Sequence, residues 1–314
     1  MLNEPQQALL KLGQALTARG YRFITGTPLT HERVNGRTDN ALAQDLPGVF
    51  GWSRPFVPGL VGADLLELMR AAGVLIEEGE QLRSAVRYSS LGDQLFVHSR
   101  YPTSQADAVF FGPDTYRFVR AIDAFLGSPS TATISRAVDI GCGAGPGAQS
   151  IALARPAAEV LAVDINPQAL AYTRINAALA GADNLRAQHS DLLRGVQGEF
   201  DLIVANPPYM LDSESRAYRD GGGELGAGLS QAIVEAAVTR LASGGSLLLY
   251  TGVAMTAGGD PFLAYIQRTL GHYSLAWRYE EVDPDVFGEE LSKPGYEDVE
   301  RIAAVVLTVT RTAS

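Results

Sequence analysis

The tetrapeptide Asn206-Pro207-Pro208-Tyr209 follows an apolar run, Phe200-Asp-Leu-Ile-Val-Ala205, that reads as a β-strand. Two successive prolines fix φ and remove two backbone donors, so the segment is stiff and presents carbonyls without competing N–H groups. The Asn206 side-chain oxygen and the Pro207 carbonyl can then accept both protons of a planar –NH₂ group. Holding those protons weakens the conjugation of the nitrogen lone pair and aims it at an electrophile, which is catalysis by orientation and electrostatic stabilisation. Tyr209 can stack its ring on the planar group. A tight turn closing the strand is the plainer reading. No histidine lies near the motif, and no strong base is needed, because a nitrogen that has gained a substituent gives up its proton readily.

Upstream, Ala137-Val-Asp139-Ile-Gly141-Cys142-Gly143-Ala-Gly145-Pro-Gly147 is an apolar strand running into a glycine-rich turn and then a helix. Positions without side chains let backbone approach a nucleotide-like ligand, and the helix N-terminus offers unpaired N–H groups. Read from Gly143, the loop can be forced onto a dinucleotide fingerprint ending at Ala148; read from Gly141, the third glycine of that fingerprint falls on Pro146. Asp164 ends the next strand, where a carboxylate can accept from both ribose hydroxyls or cap a helix together with Asn166. Asp191 follows the third strand and is placed to accept from an adenine amino group.

The spacing Asp139-x-Gly141-x-Gly143-x-Gly145 is similar to the acidic-Gly-x-Gly-x-Gly loop of class I S-adenosylmethionine (SAM)-dependent methyltransferases. With Asn206-Pro207-Pro208-Tyr209, the region from Asp107 to Arg311 resembles the subgroup carrying that motif: release-factor glutamine, adenine-N6 DNA and guanine-N2 ribosomal RNA methyltransferases. Phe111-Gly112-Pro113-Asp114-Thr115-Tyr116 is similar to the Pro-Arg-Pro-x-Thr-Glu segment of the glutamine branch, with Gly112 for the arginine and Tyr116 for the glutamate. Arg219-Asp220-Gly221-Gly222-Gly223 resembles that branch's Arg-Asp-Gly-Gly loop. The resemblance implies SAM as cofactor and SN2 transfer of its methyl group to an amide or exocyclic amine nitrogen. It implies a cofactor set of Thr115, Asp139, Gly141, Cys142, Gly143, Gly145, Asp164, Ile165, Asp191, Leu192 and Asn206, with Thr115 near the SAM carboxylate and Asp139 holding water or the methionine ammonium. Asn206, Pro207, Pro208 and Tyr209 form the implied catalytic set.

Elements able to position these residues are legible in the periodicity. After about Ala106, strands (134–140, 160–163, 185–188, 200–205, 246–250, 275–282, 302–310) alternate with helices (147–154, 167–180, 230–242, 261–270), the pattern of a doubly wound α/β sheet. The resemblance implies a seven-stranded, Rossmann-like sheet with a reversed final hairpin over residues 107–314. Residues 1–106 read as a separate, winged-helix-like unit of helices and β-ribbon: a helix from Pro5 to Arg19, a second from Gly62 to Ala72, and strands at 74–76, 81–88 and 94–98.

Composition narrows the partners. The 314 residues are 46% hydrophobic and 19% charged, as in a soluble globular protein, and neither an apolar run of membrane length nor a leader pattern is present, so a cytoplasmic location is expected. One cysteine and four scattered histidines predict no metal centre. A net charge of −10 argues against phosphate-driven binding of duplex nucleic acid, although Arg83, Arg87, Arg100, Arg117 and Arg120 concentrate before the second unit. The run Glu280-Glu281-Val-Asp283-Pro-Asp285-Val-Phe-Gly-Glu289-Glu290 reads as a solvated loop. Open acceptors are a protein glutamine, a nucleic-acid base amine or a small molecule; a non-catalytic SAM-binding regulator and a nicotinamide oxidoreductase are the rival classes.

Overall fold

The computed structural model describes residues 1–128, 133–212 and 219–312. Helix α1 (Glu4–Ala18) starts at Asn3, whose side chain accepts the Gln6 N–H while the Gln6 side chain accepts the Asn3 N–H. Helices α2 (Pro28–Asn35), α3 (Leu46–Phe50) and α4 (Ala63–Ala71) follow. Two antiparallel ribbons come next, β1 (Leu75–Glu78) with β2 (Gln81–Ser84), and β3 (Val86–Leu91) with β4 (Gln94–Ser99). The single strand expected over 81–88 is two, because the chain changes partner at Ala85, whose N–H bonds the Val74 carbonyl.

After α5 (Pro113–Leu126), strand and helix alternate: β5 (Arg136–Ile140), α6 (Pro146–Ala154), β6 (Glu159–Asp164), α7 (Pro167–Ala180), β7 (Leu185–His189), β8 (Phe200–Ala205), α8 (Gly228–Val238), β9 (Leu241–Thr256), α9 (Pro261–Leu270), β10 (Leu275–Asp283) and β11 (Val299–Arg311). They form one seven-stranded sheet in the order β10-β11-β9-β8-β5-β6-β7. Neighbours from β9 to β7 are parallel, and β11 runs antiparallel to both its neighbours. This is the doubly wound, Rossmann-like architecture with a reversed last strand that the sequence predicts. Parallel strands need crossovers, and these cover both faces: α5, α6 and α7 on one, α8 and α9 on the other. Along β8, Leu202 and Val204 enter the first core, Ile203 and Ala205 the second.

The helix expected over 230–242 ends at Val238, because Leu241 already pairs with Phe200 in the sheet. Arg240 fixes the change of direction by donating to the carbonyls of Leu193, Val196 and Gly198.

The N-terminal helices and ribbons share one apolar core with Ala169, Tyr172 and Ile175 of α7 and with Ala144 of the glycine loop. At its centre Asn176, fully buried, accepts the Val97 N–H (2.8 Å) and donates to the carbonyls of Val97 (3.1 Å) and Ala144 (2.8 Å). Replacing it with an apolar residue strands three backbone groups, at about 1–3 kcal/mol for each one left without a partner. Asn176→Leu is therefore expected to lower the free energy of unfolding by at least about 3 kcal/mol, read from the urea midpoint at constant slope. A loss below about 1 kcal/mol would show that the amide is not what joins ribbon, helix and loop.

Candidate active site at the strand C-termini

The order of strands reverses between β5 and β8, which pair Ile140 with Ala205. Chain leaving two such strands diverges to opposite faces and opens a crevice between. The glycine loop leaves one strand and Asn206-Pro207-Pro208-Tyr209 the other, so both motifs meet at one edge, around a cavity of about 470 Å³.

Gly141, Gly143 and Gly145 have φ of 68°, 55° and 85°, a region that a side chain disfavours. Several N–H groups of this loop, which the sequence suggests are unpaired, are engaged within the chain. Gly141 and Cys142 donate to the Val163 carbonyl, Gly143 to Asp164 Oδ2 (3.0 Å) and Gly145 to the Cys142 carbonyl. At the start of α6, Ala148 donates to Asp139 Oδ2 (2.9 Å). A pyrophosphate would need those donors. What the loop offers is close approach and oxygen acceptors, which suits a ligand carrying positive charge.

Asp139 is 1% exposed, and burial pushes its carboxyl up to about 7, with Asp164 adding to the rise. Asp164 is half-buried; its Oδ1 accepts the Asn166 N–H (2.8 Å), and each carboxylate oxygen keeps a further lone pair at the cavity wall. The helix cap itself is Asn166, which accepts from Gln168. Ile165 is an exposed apolar side chain at the rim, Asp191 is exposed and paired with Arg194, and Leu192 sits at φ 50°. Thr115 borders the cavity from the first turn of α5, its Oγ1 accepting the Gly112 N–H (3.3 Å). Cys142 also borders it, buried, with its thiol pushed up by that burial and therefore unreactive. Gly145, expected among the cofactor contacts, does not border the cavity; a Cβ there would press on Thr173, so glycine answers an internal contact.

On the other wall, Asn206 has no hydrogen-bond partner for its side chain among the described residues and faces the cavity with Pro207, Pro208 and Tyr209. Tyr209 is 7% exposed and donates its hydroxyl to Asp114, a residue the motif search passed over. The Arg219–Gly223 loop clasps the motif: Met210 N–H bonds the Arg219 carbonyl (3.1 Å) and Gly221 N–H the Met210 carbonyl (2.9 Å). Residues 213–218 between them lie outside the described residues. The acidic run is not all solvated loop. Glu290 is 3% exposed and pairs with Arg219 and with Lys293 (2.9 Å), and Asp283 pairs with Arg117 (2.7 Å). Burial raises the Glu290 carboxyl, but hydrogen bonds from Arg219 and Lys293 outweigh that and hold it below the usual range. Among the described residues no group of three or more His, Cys, Asp or Glu is placed to hold a metal, and no helix is long and apolar enough to cross a membrane.

Residues 123–273 match the family described as "Methyltransferase small domain". The chain is 38% identical over 166 residues to the release factor glutamine methyltransferase of Deinococcus radiodurans, a match covering 49% of this chain and 55% of that protein. With the protein of the same name from Bradyrhizobium diazoefficiens it shares 30% identity over 223 residues, 64% of this chain and 74% of that one. The crystal structure of Trm5b from Pyrococcus abyssi, at 16% identity, superimposes with a TM-score of 0.50 over 80% of this chain and 68% of that one, a likeness of fold alone. The chain belongs to the class I SAM-dependent methyltransferases. It spans little more than half the length of the D. radiodurans relative. Family membership sets the nicotinamide reading aside.

The buried carboxyl beneath α6 carries a pH signature. Folded, Asp139 keeps its proton to about pH 7; unfolded, an aspartate releases it near pH 3.9. Its stabilising contribution is thus present below pH 4 and lost as pH rises through 7. Relative to wild type, Asp139→Asn is expected to gain about 2–4 kcal/mol in unfolding free energy between pH 4.5 and pH 8. Parallel urea titrations at the two pH values measure this; an unchanged difference would mean that Asp139 is already ionised at pH 4.5.

Proposed function

We propose that the chain transfers the methyl group of SAM to the side-chain amide nitrogen of a protein glutamine. The observation that carries the reading is the Asn206 amide, without a side-chain partner among the described residues and facing the same cavity as Asp139 and Asp164 across the β5–β8 crevice. The names of both curated relatives support it. When bound, SAM supplies a methyl group on a positively charged sulfur; transfer forms an N–C bond, breaks the C–S bond and leaves S-adenosylhomocysteine.

The chain's own residues would bind, orient and hold. Asp164 takes the ribose hydroxyls on its remaining lone pairs, and Asp139 with the loop carbonyls receives the ammonium, whose charge would favour an ionised Asp139. Ile165 and Leu192 flank the adenine, whose amino group reaches Asp191, and Thr115 approaches the carboxylate. Asn206 Oδ1 and the Pro207 carbonyl accept the two amide protons, Pro208 stiffens the turn and Tyr209 supplies the flat wall. After transfer the extra proton passes to water; no histidine borders the cavity. Residues 1–106 serve acceptor recognition, with Pro28, Tyr101 and Pro102 at the cavity's edge.

Calorimetry with SAM, S-adenosylhomocysteine and NAD tests the cofactor half. Asp164→Ala is expected to weaken SAM binding about 10- to 100-fold, the loss of one or two hydrogen bonds to a charged group. Preference for NAD, or no binding of SAM, would sink the reading. With methyl-labelled SAM and candidate protein and RNA pools, Asn206→Ala is expected to lower transfer at least about 100-fold while SAM affinity stays within about twofold. Label entering RNA rather than protein would replace the glutamine acceptor with a base amine; binding without transfer to any acceptor would favour a regulator.

A further inference from the structure

We infer that Asp114 and Gly252 are positioning residues for the acceptor, fixing the Tyr209 ring from its hydroxyl end and from beneath. The inference rests on the proposal that Tyr209 walls the acceptor position.

Two phenols and a guanidinium converge on the Asp114 carboxylate, which is 5% exposed. Tyr209 donates to Oδ2, Tyr250 donates to Oδ1 at 2.8 Å, and Arg117 Nη1 lies 3.2 Å from Oδ1. Arg117 also holds Asp283 at 2.7 Å, so the cluster is anchored to the end of β10. Tyr250 and Gly252 are two residues apart in β9 and share one face of the strand. A Cβ at position 252 would overlap the Tyr209 ring, and Gly252 is not among the glycines with positive φ. Its backbone could carry a side chain; the ring lying against it could not tolerate one. The ring is therefore held by a carboxylate at its tip and a missing side chain under its edge.

The neighbour of Asp114 in the first turn of α5 is Thr115, at the cavity wall. One helix start thus carries the anchor of the acceptor wall and a candidate cofactor contact side by side, which sets the distance between the two reactants. In-line transfer tolerates little displacement of the attacking nitrogen, so freedom of the Tyr209 ring would be read in turnover rather than in cofactor affinity.

The test uses the full chain labelled with ring-¹³C tyrosine and saturated with S-adenosylhomocysteine, and methyl transfer to N-acetylglutamine amide as probe. In wild type the Tyr209 ring is expected to flip slowly. In Asp114→Asn it flips faster, and in Gly252→Ala, which leaves the buried carboxylate intact, its resonances shift. Asp114→Asn is expected to lower kcat about tenfold with KM for SAM within about twofold. In a Tyr209→Phe background it should cost nothing further, because its path runs through the missing hydroxyl. Unchanged ring flipping in Asp114→Asn with an undisplaced ring in Gly252→Ala would overturn the inference, as would an equal kcat loss with and without the Tyr209 hydroxyl. Should wild type transfer nothing to the glutamine probe, that result counts against the glutamine acceptor, and the ring resonances alone decide the positioning role.

Discussion

The register between β5 and β8 is the constraint on which the site depends. Side chains alternate along β5, so Val138 and Ile140 enter the core beneath α8 and α9, while Ala137 and Asp139 face the side covered by α5 and α6. A slip of one residue would exchange the two sets. It would drive Ile140 under the start of α6 and lift away the carboxylate that Ala148 binds. The same register sets Ile140 opposite Ala205, so Gly141 and Asn206 emerge side by side. Cofactor loop and acceptor motif are neighbours because a packed hydrophobic sheet admits one pairing.

Burial raises the proton affinity of both Asp139 and Asp164, and that arrangement brings Asp164 near enough to add to the rise at Asp139. Desolvating two carboxylates in this way costs stability. Four of the loop donors that might neutralise an anion, those of Gly141, Cys142, Gly143 and Gly145, are already committed to Val163, Asp164 and Cys142. A site strained in this sense is relieved by positive charge and would be worsened by phosphate. Local departure from the most stable arrangement, at the place where chemistry is expected, is where such departures are found in folded proteins.

Strand and helix were legible wherever one period ran unbroken. The parallel strands read as short apolar runs, α1 as an amphipathic helix, and the two motifs stood at strand ends as the topology requires. The misreadings share a cause, since each element was judged by its own pattern while a distant partner decided it. Leu241 is strand because Phe200 is there to pair with it, and Ala85 divides a ribbon because Val74 takes its N–H. Tyr209 was visible as a motif residue, but Asp114 and Tyr250 stand 95 and 41 positions away in sequence, and no spacing rule connects them. Glu290 looked like one more solvated acid because nothing local announces that Arg219 folds onto it.

Charge placement bears on the acceptor more than the net value does. Of the arginines that cluster ahead of the sheet, Arg87 is 2% exposed and bonds the Ser99 carbonyl and His31, Arg83 pairs with Glu78, and Arg117 is spent on Asp114 and Asp283. Arg219 and Lys293 at the cavity share Glu290. Three of those five arginines are thus buried or matched by acid, and the chain keeps a net charge of −10. A polyanion approaching such a surface is repelled over about a Debye length, roughly 8 Å at physiological salt. A neutral amide meets no such barrier, and among the described residues the two cations that border the cavity, Arg219 and Lys293, both pair with Glu290.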